Sequence, residues 1–178
     1  MTVPESPLEP AEHGLLPAGE GWFVLNARDA RWNLEGTGQK LTFFEGPQGR
    51  FEQLGINVSV LGPGEQMAMY HWEDEQEDFL VISGEALLVV EGQERPLRAW
   101  DLAHCPSKTK HVIVGAGSGP CVIVSVGTRL GDDGGYTVDA TAAKHGASVE
   151  EDTADPAVAY AHLPARQPAA YEAGWLPG

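Results

Sequence analysis

The chain has 178 residues, with 26 acidic against 11 basic side chains and a formal net charge of −15 at neutral pH. So few lysines and arginines cannot form a basic stripe, which excludes a nucleic acid or an anionic membrane as the expected partner. The 22 glycines and 13 prolines favour short elements joined by turns over long helices. No apolar run approaches membrane-spanning length, and the N-terminus shows no basic segment leading into an apolar one, so the expected location is cytoplasmic. Cys105 and Cys121 lack CxxC spacing and are expected as reduced thiols at apolar positions.

Residues 1–20 are rich in Pro, Glu and Gly without periodicity and are expected to form a flexible or surface-hugging arm. Gly21–Leu25 is expected to start a strand, and Asn26–Gly38 to be loop and turn. A second strand is expected at Lys40–Glu45, closed by Gly46-Pro47. From Leu54 the pattern is strongly β. Ile56, Val58 and Val60 alternate with Asn57 and Ser59, as in a half-buried strand. Further strands are expected at Gln66–Glu73, Glu77–Ser83, Glu85–Glu91, Gln93–Arg98, Asp101–Cys105, His111–Val114 and Cys121–Gly127, punctuated by glycine and proline. Short strands at near-regular spacing without intervening helices predict an antiparallel barrel or sandwich. Beyond Gly127, Asp139–His145 reads as a short helix with an acidic start and basic end. Asp155-Pro156 reads as an N-cap followed by proline at the first helical position. Gln167–Gly178 is expected to be an arm.

The chemistry concentrates between Pro63 and Glu85. His71 and Glu73 are two apart, so on an extended strand they share a face, together with Met67 and Met69. Tyr70 and Trp72 point the other way, as exterior aromatics suited to packing under a terminal arm or a partner. Glu77 shares parity with Phe79 and Val81, and Asp78 with Leu80 and Ile82. Both faces are apolar further along, so parity alone does not choose the interior. If Glu77 points inward, it converges with His71 and Glu73. His111 opens an apolar strand about forty residues after His71 and is a fourth candidate. A run of carboxylates is also the composition of a solvated loop, and a lone histidine that of an ordinary core. Shared parity and two partner histidines favour metal ligation. His104 falls on the outward parity and is expected at the surface or a subunit contact.

Pro63-Gly64, His71-Trp72-Glu73, Glu77 and Gly84 resemble the first sequence motif of the cupin family: glycine, His-x-His, glutamate and, after six residues, glycine. Trp100, Pro106, Lys108, His111 and Gly115 occupy the positions of the second motif, where Pro106 and His111 match. The resemblance covers 54–127. It implies an all-β double-stranded β-helix, or jelly-roll, over 21–130. An N-terminal arm (1–20) and a partly helical C-terminal tail (131–178) would flank it. It also implies a divalent metal held by His71, Glu73, Glu77 and His111, with Glu73 standing where the family has a second histidine. Trp100 and Lys108 stand where the family has glycines, which implies different turns there. Two imidazoles with two carboxylates suit iron or manganese, with zinc as a third choice. The resemblance further implies a homodimer and a small-molecule ligand inside the barrel. The expected function is a metal-binding cupin, with preference for a dioxygenase-like oxidoreductase. A non-enzymatic small-ligand binder or sensor on the same barrel is the alternative.

Overall fold

The protein is described by a computed structural model covering residues 2–46 and 50–178. Pro47, expected to help close the second strand, and Met1 of the arm lie outside the described residues. Among the described residues the strands are β1 Leu8–Ala11, β2 Gly14–Pro17, β3 Trp32–Leu34, β4 Lys40–Thr42, β5 Leu54–Leu61, β6 His71–Glu73 and β7 Glu77–Ser83. They continue as β8 Glu85–Val90, β9 Gln93–Arg98, β10 Leu102–Cys105, β11 His111–Ala116, β12 Cys121–Thr128, β13 Gly134–Tyr136 and β14 Gln167–Ala169. Two one-turn helices, α1 Ala140–Ala143 and α2 Pro156–Ala159, lie in the tail. Asp139 and Asp155 cap them, each accepting from backbone N–H groups of the first turn. No helix among the described residues is long and apolar enough to cross a membrane.

The strands form a jelly-roll of two antiparallel sheets. One has the order β10-β7-β12-β5-β4-β3-β14 and the other β13-β6-β11-β8-β9. Leu61, Val81, Cys121 and Ile123 from the larger sheet meet Leu88 and Ile113 from the smaller one in a dry core. Cys105 and Cys121 are free thiols in this core, where burial pushes both up to about 11. Burying such aliphatic side chains stabilises the fold by about 1.5–3 kcal/mol each.

The alternation along β5 identifies a strand, but the two faces serve opposite purposes. Asn57 lines an interior cavity and Ser59 is wholly buried, hydrogen-bonded to Gln39 on its wall. Val58 and Val60 lie on the outside of the sheet with Trp32, beneath Tyr171, Trp175 and Leu176 of the tail. Trp32 is fully buried, donates its indole N–H to the Ala27 carbonyl at 2.8 Å and meets Trp175 edge-on at 5.3 Å. The C-terminal stretch is therefore docked, and its strand β14 extends the large sheet through β3. Likewise β13 pairs with β6.

Other expectations are corrected. The first twenty residues contain a hairpin of β1 and β2, held on the body by the Leu15 N–H to the Asp29 carbonyl. Gly21–Leu25 makes a single bridge, Trp22 to Glu5, instead of a strand, while the expected loop contains β3. The predicted strand over Gln66–Glu73 shrinks to His71–Glu73 because residues 67–70 bend away. There the Tyr70 N–H bonds to the Ala147 carbonyl, and Met69 N–H to the Tyr160 hydroxyl. Met69 consequently packs against Val149 and Ala159 of the tail, outside the barrel, while Met67 stays on the cavity wall. Tyr70 is buried against Ala142 and Ala147, under the tail as expected.

The turns at Trp100 and Lys108 keep the backbone that glycine would adopt, with φ of 76° and 68°, although neither residue is glycine. The difference from the family pattern is thus in side chain, with the left-handed turns retained. At Gly84 (φ 76°) a Cβ would collide with the Pro120 carbonyl, so this glycine has no substitute. The Trp100 side chain is 74% exposed and gains little from its position. Trp100→Gly is expected to raise stability by about 1 kcal/mol, read as a higher urea midpoint at unchanged slope. A lower midpoint would show that the left-handed residue is held by contacts, not merely tolerated.

Candidate metal centre

Three strands place the central side chains. His71 opens β6, Glu77 opens β7 and His111 opens β11, where it sits directly opposite His71 in the ladder. Glu77 takes the inward parity with Phe79 and Val81. Asp78 points outward and binds the exposed His104, Oδ1 to Nδ1 at 2.7 Å. The histidine Nδ1 atoms are both turned toward backbone carbonyls, Met69 O at 2.8 Å for His71 and Thr109 O at 3.0 Å for His111. With Nδ1 as the protonated nitrogen, each ring presents the Nε2 lone pair to the interior, the orientation a metal ligand requires.

One ligand atom from each of His71, Glu77 and His111 lies within 4.8 Å of the others. His111 Nε2 and Glu77 Oε2 are 3.1 Å apart, and His71 Nε2 is 3.9 Å from the same oxygen. Despite that closeness, Glu77 Oε2 and His111 Nε2 are sealed from solvent without a well-aligned hydrogen-bond partner. Buried polar atoms left in this way are costly unless something further satisfies them. A cation between them would do so, and two nitrogens with one carboxylate oxygen fit a divalent transition metal. The structure therefore brings together three of the four residues singled out in the sequence. Glu73 Oε1 stands 3.9 Å from His71 Nε2 with a side chain 42% exposed, at the edge of the trio.

The electrostatics follow from burial and crowding. Burial, reinforced by the neighbouring His111 charge, pushes His71 down to about 4. Burial alone would raise Glu77 and lower His111, but each overcomes it in the other: the carboxyl is held below its usual range and the imidazole above. Burial and then the Glu77 charge push Glu73 up to about 7.

The trio opens into a cavity of about 760 Å³. Phe79 flanks His111 at 5.3 Å between ring centroids, with Met67 and Ile113 beside it. Across the cavity Asn57 and Ser125 occupy opposite positions on β5 and β12. The outer wall is supplied by the tail, where Tyr136 and Tyr160 pack edge to face at 5.4 Å, and by the segment 161–166. Sequence reading missed these residues and Gln39, Leu41 and Phe43, because no local pattern announces that a Pro/Ala-rich tail folds back over the barrel mouth.

Residues 57–127 match the family model described as the cupin domain. The barrel matches the cupin domain over that stretch, about two fifths of the chain, and has the cupin fold. A structure from Acidithiobacillus ferrooxidans, provisionally named a sugar phosphate isomerase, is 25% identical with a TM-score of 0.50. That match covers 56% of this chain and 64% of that one, so the likeness extends over less than two thirds of its length. The polyketide cyclase RemF from Streptomyces resistomycificus (12% identity, TM-score 0.53, 60% and 79% covered) shares the fold. So does a Thermotoga maritima protein provisionally named an oxalate decarboxylase (17%, 0.52, 61% and 100%). No curated protein matches the chain.

In metal-free protein, Glu73 titrates near 7 when folded and near its ordinary value when unfolded, so folding stability falls as pH rises from about 4.5 to 7. Glu73→Gln is expected to raise the melting temperature of chelator-treated protein above pH 7, the gain vanishing below pH 4.5. An equal gain at every pH would show that carboxylate burial is not the cause.

Proposed function

We propose that this protein is a metal-dependent cupin enzyme acting on a small molecule in the barrel cavity. His71, Glu77 and His111 hold a divalent transition metal, and Glu73 adds a fourth, oxygen ligand. The observation that carries this reading is the convergence of two inward-facing Nε2 atoms and a carboxylate oxygen, two of these atoms sealed and unsatisfied, at the end of a cavity of small-molecule size. Two histidines and one carboxylate with open positions favour iron(II), then manganese(II), with zinc as the non-redox choice. Bound there, iron would supply dioxygen activation, which makes a dioxygenase-like oxidoreductase the favoured class. The chain's own residues do the rest. Phe79, Met67 and Ile113 exclude water beside the metal, the two backbone carbonyls fix the imidazoles, and Asn57 and Ser125 offer neutral hydrogen-bonding groups to a ligand.

A second reading is favoured by the likeness to the Acidithiobacillus protein: an isomerase using the same site. A homodimer remains part of the proposal and is read by light scattering on the full chain.

Protein purified without chelator is expected to carry about one transition metal per chain by elemental analysis. Glu77→Ala and His111→Ala are expected to abolish stoichiometric metal, while Glu73→Gln retains it with weaker affinity. Unchanged metal in the first two variants would refute the site. With metal bound, oxygen consumption with a panel of small acids and phenols supports the dioxygenase. Anaerobic turnover favours the isomerase, and thermal stabilisation without turnover favours a binder.

A further inference from the structure

We infer that the cavity selects an uncharged ligand, one that presents hydroxyl or carbonyl oxygens, and turns away phosphorylated or sulfonated molecules of the same size. This deepens the proposed function and rests on the metal reading of the site. Among the described residues that line the cavity, Arg166 is the one lysine or arginine. Its guanidinium is already engaged: Nε lies 2.7 Å from Glu35 Oε1 and 2.9 Å from Oε2, and Cζ sits over the Phe43 ring at 5.4 Å. An anionic group beside it would meet a cation whose charge the half-buried Glu35 carboxylate already balances, and would stand close to that carboxylate as well. Glu73 and Glu77 add further negative charge on the opposite side, and the chain as a whole carries −15. A bound divalent cation is formally balanced by those two carboxylates, so it leaves no surplus for a second anion remote from the metal.

The remaining polar lining is neutral. The Gln39 amide donates to Ser59 Oγ at 2.7 Å, and both residues are buried. Ser125 has as its protein partner the Met67 sulfur at 4.0 Å, a weak acceptor that leaves the hydroxyl free for a better one. Asn57 stands opposite Ser125 in the ladder. Amides and hydroxyls of this kind pair with hydroxyl and carbonyl oxygens but bring no countercharge to a desolvated phosphate. The same lining weighs against sugar phosphates as ligands under the isomerase reading, for which an unpaired cation in the cavity would be required.

The test uses the full chain loaded with zinc under argon, its metal content verified by elemental analysis before and after each titration. Catechol and catechol 4-sulfonate offer a metal the same pair of oxygens and differ by one remote anionic group. Isothermal titration is expected to show catechol binding at least about tenfold more tightly. Glu35→Gln, which leaves the Arg166 charge unbalanced, is expected to improve sulfonate binding by about tenfold with little change for catechol. Ala165→Arg, at an exposed lining position, places a new cation at the rim and is expected to act in the same direction should Glu35→Gln fail to fold. Equal affinities, a preference for the sulfonate, or no binding of either probe to zinc-loaded protein would overturn the inference while leaving the metal site standing. Failure to take up zinc would overturn the metal reading itself, and this inference with it.

Discussion

The pairing of His111 with His71 across β11 and β6 is the contact on which the rest of the centre depends. β11 is anchored along its whole length by the ladder to β8, whereas β6 meets β11 through that one partner pair. What steadies β6 from its other side is β13, a strand of the tail, through three consecutive partners. The position of His71 is therefore set jointly by a barrel strand and by a segment more than sixty residues downstream. Backbone ladders fix a Cα to within fractions of an ångström at little energetic cost per bond, and a ligand placed on one inherits that accuracy. The carbonyls of Met69 and Thr109 then fix the rotation of each ring. Placement and orientation come from main-chain groups, and the side chains are left free to face the cavity.

The inward faces of the large sheet divide the interior into a dry and a wet end. Leu61, Val81 and Ile123 fill the first, and Asn57, Glu77 and Ser125, farther along the same three strands, face the second. The hydrophobic burial that holds the sheets together is thus spatially separate from the polar groups, whose desolvation costs stability. Partial relief comes from the water-accessible cavity, and the most enclosed atoms, Glu77 Oε2 and His111 Nε2, remain the expensive ones. A protein tolerates such a cost where function requires it.

Much of this was legible from residue order. The strand bounds of β7 and β9, the inward turn of Glu77 open to a parity test, the outward His104 and the Asp155 N-cap all follow from local pattern. These features are set by alternation and by capping chemistry, which act over a few residues. The failures are of a different kind. Ile56, Val58 and Val60 look like a core face, yet Val58 and Val60 are covered from outside by the tail, because an apolar row does not say what will cover it. Met69 obeys the parity of His71 only if the chain stays extended, and the tail's Ala147 and Tyr160 draw it into a bend. Trp100 and Lys108 suggest changed turns, but both keep a left-handed backbone, with the Trp100 N–H bonded to the Val81 carbonyl and the Lys108 N–H to that of Glu73. Each miss traces to a long-range contact.

The docking of 156–166 across the mouth divides labour along the chain. The groups able to bind a cation are encoded between His71 and His111, whereas the outer wall that a ligand meets is encoded by the last quarter of the sequence. Mutations in the two segments fall on different properties, so the wall can drift without disturbing the ligating atoms. Relatives that carry the same ligating residues in the same barrel would then diverge first in what they admit. For such proteins, kinship of the barrel is a guide to the reaction centre and a poor guide to the molecule that enters it.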